Sequence, residues 1–274
     1  MRPSRLSLVA GYLVVVTATV LAVAPLLWML GKSFGSASEV FGDVLTPVPD
    51  QPSGDAYEMA WTSVPFLRYT ANSVAAGVVS ALVSIVLSVP AGYGFARYRF
   101  KASGLMFLSV LTTMMVPVTV LAVPLFLQVS VFGWVNTYAG LVLPMAFWPL
   151  GVFVMRQAVL AVPGDFLEAA RLDGCGHGRI FLRIMLPLSL PALATTAIFT
   201  FIWTWNDFFS QLIFLTKPDM YTVPIALRTF VDATSNSSWG PLFAMSIVSL
   251  IPVFLVFLFG QKYLVKGIAT TGIK

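Results

Sequence analysis

The sequence predicts an all-α fold, a polytopic bundle of six membrane-spanning helices with a short cytoplasmic helix between the fourth and fifth. Three observations carry this expectation. Of 274 residues, 58% are hydrophobic and 10% charged, where soluble domains carry roughly 25% charged residues, and the mean hydropathy is +0.89. The apolar residues gather into runs near the length a bilayer core requires, about 20 residues of helix. The basic residues stand between those runs and favour alternate ends. A water-soluble core of this size could not hide so much apolar surface, so lipid is the main solvent.

The runs are, in order, Leu6–Leu30, Ala71–Ala96, Leu105–Val129, Ala139–Met155, Leu188–Leu215 and Leu242–Phe259. The first follows Arg2 and Arg5 in the manner of a signal peptide. It is longer than the usual apolar core of such a signal, and Pro25 directly follows the small pair Ala22 and Ala24, so an uncut helix is expected. Pro90, Pro117, Pro124, Pro144, Pro191 and Pro252 fall inside runs. Membrane helices tolerate proline where neighbouring groups satisfy the freed backbone, either as kinks or as hinges. No fixed-period repeat divides the chain. Residues 1–70 read as the first helix and an extracytoplasmic loop, 71–264 as a core of five helices, and 265–274 as a cytoplasmic tail.

Orientation follows from charge. With the N-terminus inside, Arg2, Arg5, Arg97, Arg99, Lys101, Arg156, Arg171, Arg179, Arg183, Lys262, Lys266 and Lys274 are cytoplasmic. Those are 12 of the 16 basic residues, which satisfies the positive-inside rule and places both termini in the cytoplasm. Lys32, Arg68, Lys217 and Arg228 lie outside. The two long outer connections, Gly31–Thr70 and Lys217–Pro241, are turn-rich and polar, with room for a short interfacial helix. The first carries Glu39, Asp43, Asp50, Asp55 and Glu58, and the second an incidental Asn236-Ser237-Ser238 sequon.

Several functional classes are excluded. The net charge of +5 is scattered rather than striped, so no nucleic-acid partner is expected. Cys175 is the only cysteine and His177 the only histidine, which leaves neither an internal disulfide nor a His/Cys metal site. Gly31-Lys32-Ser33 imitates the end of a phosphate-binding loop, but Leu26 stands where the first glycine is required. A membrane-embedded enzyme would need a catalytic set around a cavity, and none is evident. A self-sufficient secondary transporter or channel is the alternative reading. Such proteins usually carry ionisable groups within spans, and here the clearest is Asp207.

The most polar inner stretch is the loop 163–187. Pro163-Gly164 breaks the preceding helix, Asp165 can cap a new one, and Glu168 can bond back to the Asp165 amide and complement the helix dipole. Gly174 is the natural left-handed stop. A second short helix, Arg179 to Leu186, is expected to end at Pro187. Ala169 and Ala170 would let a partner approach closely, so the loop reads either as a docking element or as an ordinary interfacial loop.

Glu168-Ala169-Ala170, Gly174 after three residues, and Ile184-Met185-Leu186-Pro187 after nine more resemble the EAA loop of ABC importer permeases. The resemblance runs from about Thr70 to Lys262 and includes AGYGFARYRF at Ala91–Phe100 and WNDF at Trp205–Phe208. The leading helix, the large first outer loop and the tail VKGIATTGIK are similar to the carbohydrate-uptake subclass, particularly the second permease subunit of maltose-type importers. The tail departs in ending at Lys274 without the expected glycine. The resemblance implies a multi-pass subunit of a prokaryotic cell membrane with no cofactor of its own. It would work with a second, homologous permease, two cytoplasmic ATPase subunits that carry ATP and Mg, and an extracytoplasmic solute-binding protein. Glu168, Ala169, Ala170, Arg171, Asp173 and Gly174 would form the ATPase-coupling set, supported by Asp165, Ile184, Leu186 and Pro187. The solute would be small, in this subclass a sugar.

Trp205, Asn206 and Asp207 are candidates for the solute path. Aromatic faces with amide and carboxylate groups suit a sugar, and a lipid-facing carboxylate at mid-span would be costly by about 2.5–3.5 kcal/mol. Trp203 and Trp205 could instead belong to the interfacial aromatic belt, with Asn206 and Asp207 joining helices.

Overall fold

The computed structural model describes residues 5–35, 46, 48–231 and 238–271. Arg2, Glu39, Asp43, Asn236, Ser237 and Lys274 lie outside the described residues. The described chain forms thirteen helices and no strand. They are α1 (Arg5–Lys32), α2 (Asp55–Ser63), α3 (Phe66–Arg97), α4 (Ser103–Thr112), α5 (Ala122–Val131), α6 (Tyr138–Ala146), α7 (Pro149–Ala161) and α8 (Asp165–Leu172). Then follow α9 (His177–Leu188), α10 (Leu190–Asn206), α11 (Phe209–Phe214), α12 (Val223–Arg228) and α13 (Trp239–Thr271).

Three helical stretches are long and apolar enough to cross a membrane, Ser7–Lys32, Phe66–Arg97 and Trp239–Tyr263. Two bent pairs, α6 with α7 and α9 with α10, bring the number to as many as five. The third expected run, Leu105–Val129, is not one helix. α4 and a 3-10 turn at Thr113–Met115 end at Val116, whose backbone is extended at φ −84° and ψ 118°, and α5 starts at Ala122. Pro117 forces this by crowding the residue before it and by lacking an N–H. The fourth run breaks likewise at Trp148, extended before Pro149, where α6 and α7 meet at 50°. The fifth run is cut twice, by a 71° bend between α9 and α10 and by an extended Asp207 after α10.

The chain divides into two compact units. The first comprises Met1–Phe66 and Ala226–Ile251. In it α1 presents apolar side chains to its surroundings, Leu13 at 65% and Leu21 at 69% exposure, as a helix solvated by lipid would. At its end Ser33 is fully buried and hydrogen-bonds the Tyr57 hydroxyl of α2 at 2.8 Å. Trp28 meets Phe243 edge-on at 5.7 Å.

The second unit comprises Leu67–Ile225 and Pro252–Lys274. Its organising helix is α3, which inverts the soluble pattern. Val78, Leu82 and Val86 point outward while Ser80, Ser84 and Ser88 are buried. Small and hydroxylated residues let membrane helices approach closely, and α3 uses them against α7 and α10. Gly151 sits where a Cβ would come within 2.8 Å of the Ser88 hydroxyl, and Thr200 donates to Ser84 at 3.3 Å. One end of α3 is fixed by Asn72, which donates to the carbonyls of Asp219 and Tyr221 and accepts from Tyr138. The other end lies beside the root of the loop that carries the candidate coupling residues.

Candidate functional site

α8 forms where the loop chemistry predicts a helix, with one correction at its start. Gly164 itself takes helical angles, φ −61° and ψ −33°, and its carbonyl accepts from Leu167 at 2.8 Å and Glu168 at 3.1 Å. Asp165 is therefore the first helical residue rather than the cap, and no side chain caps this end. The expected bond from Glu168 back to the Asp165 amide is absent. Both carboxylates still stand in the first turn, where the helix dipole favours negative charge.

The stop is as expected. Gly174 has φ +76°; Cys175 N–H donates to Ala170 O at 2.9 Å and Gly174 N–H to Arg171 O at 3.0 Å. These are the two reversed bonds of a Schellman motif. Leu167 and Ala170 face inward onto a cluster with Val89, Tyr93, Met155, Val159, Ile180 and Met185. Glu168, Ala169, Arg171, Asp173 and Leu172, the last at 89% exposure, face outward. α8 thus has one anchored face and one free face of mixed charge and apolar character.

Pro187 does not end the next helix, contrary to expectation. α9 begins at His177, passes through a π-helical turn at Phe181–Met185 and continues to Leu188. A π turn widens the helix ahead of a proline whose ring would crowd the carbonyl four residues back. Met185 is fully buried, Ile184 and Leu186 are half-buried, and Pro187 is exposed.

Two anchors of this region are not singled out by the sequence reading. Arg97, in the last turn of α3, sends Nη2 to the carbonyls of Val159 at 2.9 Å and Val162 at 3.1 Å. Those carbonyls close α7 and begin the loop into α8, so the cation meets the negative end of the α7 dipole. A basic residue at a helix end is the only sequence signal for this. Beside it opens a cleft of about 200 Å³ lined by Tyr93, Arg97, Tyr98, Glu168, Arg171 and His177 among others. The second anchor is Arg156, which stacks on Phe107 with its guanidinium carbon 4.4 Å from the ring centroid.

The candidate path residues separate. Trp205 is buried at 4% exposure and stacks on Phe201 with centroids 5.8 Å apart. Trp203 is 58% exposed. Asn206 is exposed and donates back to Ile202 O at 2.8 Å. Asp207 is half-buried in the break, and its Oδ1 accepts from Ser210 N–H at 3.1 Å, capping α11. Gln211 bridges the break, donating to Thr204 O at 3.0 Å and accepting from the Thr222 hydroxyl. Among the described residues no three His, Cys, Asp or Glu side chains converge where a metal could be held.

Comparison with known proteins gives this fold a family. Residues 84–270 match the family model of binding-protein-dependent transport system inner membrane components. The chain belongs to that family. It is a permease subunit of an ATP-driven importer, and ATP hydrolysis resides on a separate subunit, which sets aside the reading of a self-sufficient transporter or channel. It is 35% identical over 257 residues to the arabinooligosaccharides transport system permease protein AraQ of Halalkalibacterium halodurans, covering 93% of this chain and 92% of that one. It is 30% identical over 272 residues to the trehalose/maltose transport system permease protein MalG of Thermococcus litoralis, covering 98% and 97%. A chain of a bacterial ABC transporter that imports the acidic polysaccharide alginate shares the fold, with TM-score 0.80 and 22% identity over 96% of this chain and 98% of that one.

Proposed function

We propose that this permease subunit carries a saccharide across the cell membrane of a prokaryote and that α8 is its coupling helix, seated against a cytoplasmic ATPase subunit. The observation that carries the coupling assignment is the geometry of α8. Its inner face is fixed by Leu167 and Ala170, its end is set by Gly174, and Glu168, Ala169 and Leu172 remain free to meet a partner. The saccharide assignment is supported by relatives whose names specify arabinooligosaccharides and trehalose or maltose. The full importer pairs this chain with a second homologous permease, two ATPase subunits holding ATP and Mg, and an extracytoplasmic binding protein. The core spans residues 71–264 within a six-crossing chain whose termini are both cytoplasmic, the broken apolar helices α4 with α5 supplying one crossing. Of the candidate path residues, the exposed Asn206 is proposed to meet the solute, while Asp207 and Trp205 hold the helix break beside it. ATP and loaded binding protein each favour one conformation by differential binding, and that difference drives the exchange of inward and outward openings.

The test is reconstitution of the whole importer in liposomes. Glu168→Lys reverses a charge at the start of α8. It should abolish solute-stimulated ATP hydrolysis and uptake while this chain still inserts and pairs with its partner permease. Wild-type transport by the variant would contradict the coupling role. Absence of competition by any saccharide in an uptake assay would defeat the solute assignment.

A further inference from the structure

We propose that Arg97 is a positioning residue for transport, the tie through which movement of α8 reaches the long helix α3. This rests on the reading of α8 as the coupling helix. α7 ends at Ala161, and only Val162, Pro163 and Gly164 separate it from α8. Neither segment is bound to α3 by a backbone hydrogen bond. One guanidinium nitrogen of Arg97 holds both Val159 O and Val162 O, at 2.9 and 3.1 Å, bridging the last turn of α7 and the first residue of the linker. Val162 is extended, and the next residue, Pro163, has no N–H to offer α3 in exchange.

The tie is the polar, directional part of this contact. Next to it lies the cleft between the end of α3 and α8, lined by Tyr93, Arg97, Glu168 and Arg171. On that side α8 is separated from α3 by space, while Val89 and Tyr93 of α3 join the apolar cluster around Leu167 and Gly92 packs on α7. The other guanidinium edge, Nε, is buried with no partner. A lateral push on α8 therefore reaches α3 through apolar packing and through these charged hydrogen bonds, which are stronger and more directional than neutral ones. Removing them leaves two helices that fold and pack but move with less dependence on each other.

The experiment uses the complete importer in liposomes, with this chain carrying Arg97→Met, Arg97→Gln or Arg97→Lys. The methionine variant keeps the apolar stem and loses every donor, glutamine keeps two donors without charge, and lysine keeps charge and donors. Three quantities are read: recovery of ATPase subunits with the permease, ATP hydrolysis, and solute moved per ATP. Arg97→Met is expected to assemble and hydrolyse ATP with a several-fold loss of solute moved per ATP, and Arg97→Lys to restore most of that ratio. A wild-type ratio in Arg97→Met overturns the proposal. So does loss of assembly in Arg97→Met combined with either a wild-type ratio or loss of assembly in Arg97→Gln, since the guanidinium would then serve folding alone. Glu168→Lys in the same assay separates the two ideas. Normal coupling there with uncoupling in Arg97→Met would remove the role of α8 and keep that of Arg97.

Discussion

At Gly174 a Cβ would meet nothing within 4 Å, yet the backbone stands at φ +76°. At Gly92 the backbone is helical, but a Cβ would come within 2.7 Å of Met155 Cβ and 2.9 Å of the Val152 carbonyl. The two glycines therefore respond to opposite substitutions. Gly174→Ala pays the left-handed penalty of about 1–2 kcal/mol, whereas Gly174→Asn is tolerated because asparagine enters that region readily. Gly92→Ala forces α3 and α7 apart at an overpacking cost of about 1–3 kcal/mol, and Gly92→Asn is worse. Thermal unfolding of the purified complex should order Gly174→Asn above Gly174→Ala, and Gly92→Ala above Gly92→Asn. Equal effects of Ala and Asn at both positions would remove the distinction. Gly174→Asp adds a charge to the free end of α8 and should also depress solute-stimulated ATP hydrolysis.

At the scale of elements the break between α10 and α11 decides what Asp207 does. Its carboxylate accepts from Ser210 N–H, and an asparagine oxygen could accept the same bond. Asp207→Asn is therefore expected to keep assembly and apparent solute affinity, while Asp207→Ala loses a helix cap and about 0.5–2 kcal/mol of stability. Asn206 points outward, so Asn206→Ala should assemble normally and raise the apparent KM for uptake. A shifted solute preference in Asp207→Asn would return the carboxylate to the path, and wild-type uptake in Asn206→Ala would take the amide out of it. This break was not legible in the apolar run Leu188–Leu215, because length and hydropathy are blind to a side chain that caps from within. The breaks before Pro117 and Pro149 were better signposted, since a proline disfavours helix in the residue before it. Pro90, Pro144 and Pro252 stay inside helices, so tertiary packing rather than the residue type made the choice. The stop of α8 was legible down to Gly174 because a left-handed position leaves few alternatives to glycine. Its start was misplaced by one residue because Gly164 is free to become helical. Arg97 was hidden, since its two partners lie more than sixty residues away and are backbone atoms that no side-chain pattern advertises.

At the scale of the whole molecule α3 supplies the measure for topology. It has 32 residues, so at 1.5 Å per residue it is about 48 Å long, and the hydrocarbon core is about 30 Å thick. Arg68 near its start pairs with Asp219 at 2.8 Å, with both side chains more than half exposed. Arg97 at its other end holds the root of the loop to α8. A helix of that length crossing the bilayer leaves the two charged ends in opposite aqueous phases. Under the proposed orientation the Arg97 end is cytoplasmic, and that assignment is open to a direct test. Cys175 is the only thiol and is half-buried two residues beyond Asp173. In intact cells it should resist a membrane-impermeant maleimide and react once the cells are opened. In a Cys175→Ser background, Asp219→Cys places a thiol at the other end of α3 and gives up only an exposed ion pair worth about 0–1 kcal/mol. That thiol should react in intact cells. Reaction of Cys175 from outside, with protection of the thiol at position 219, would invert the topology and separate α8 from any cytoplasmic ATPase. Reaction of both from outside would mean that α3 does not cross the membrane.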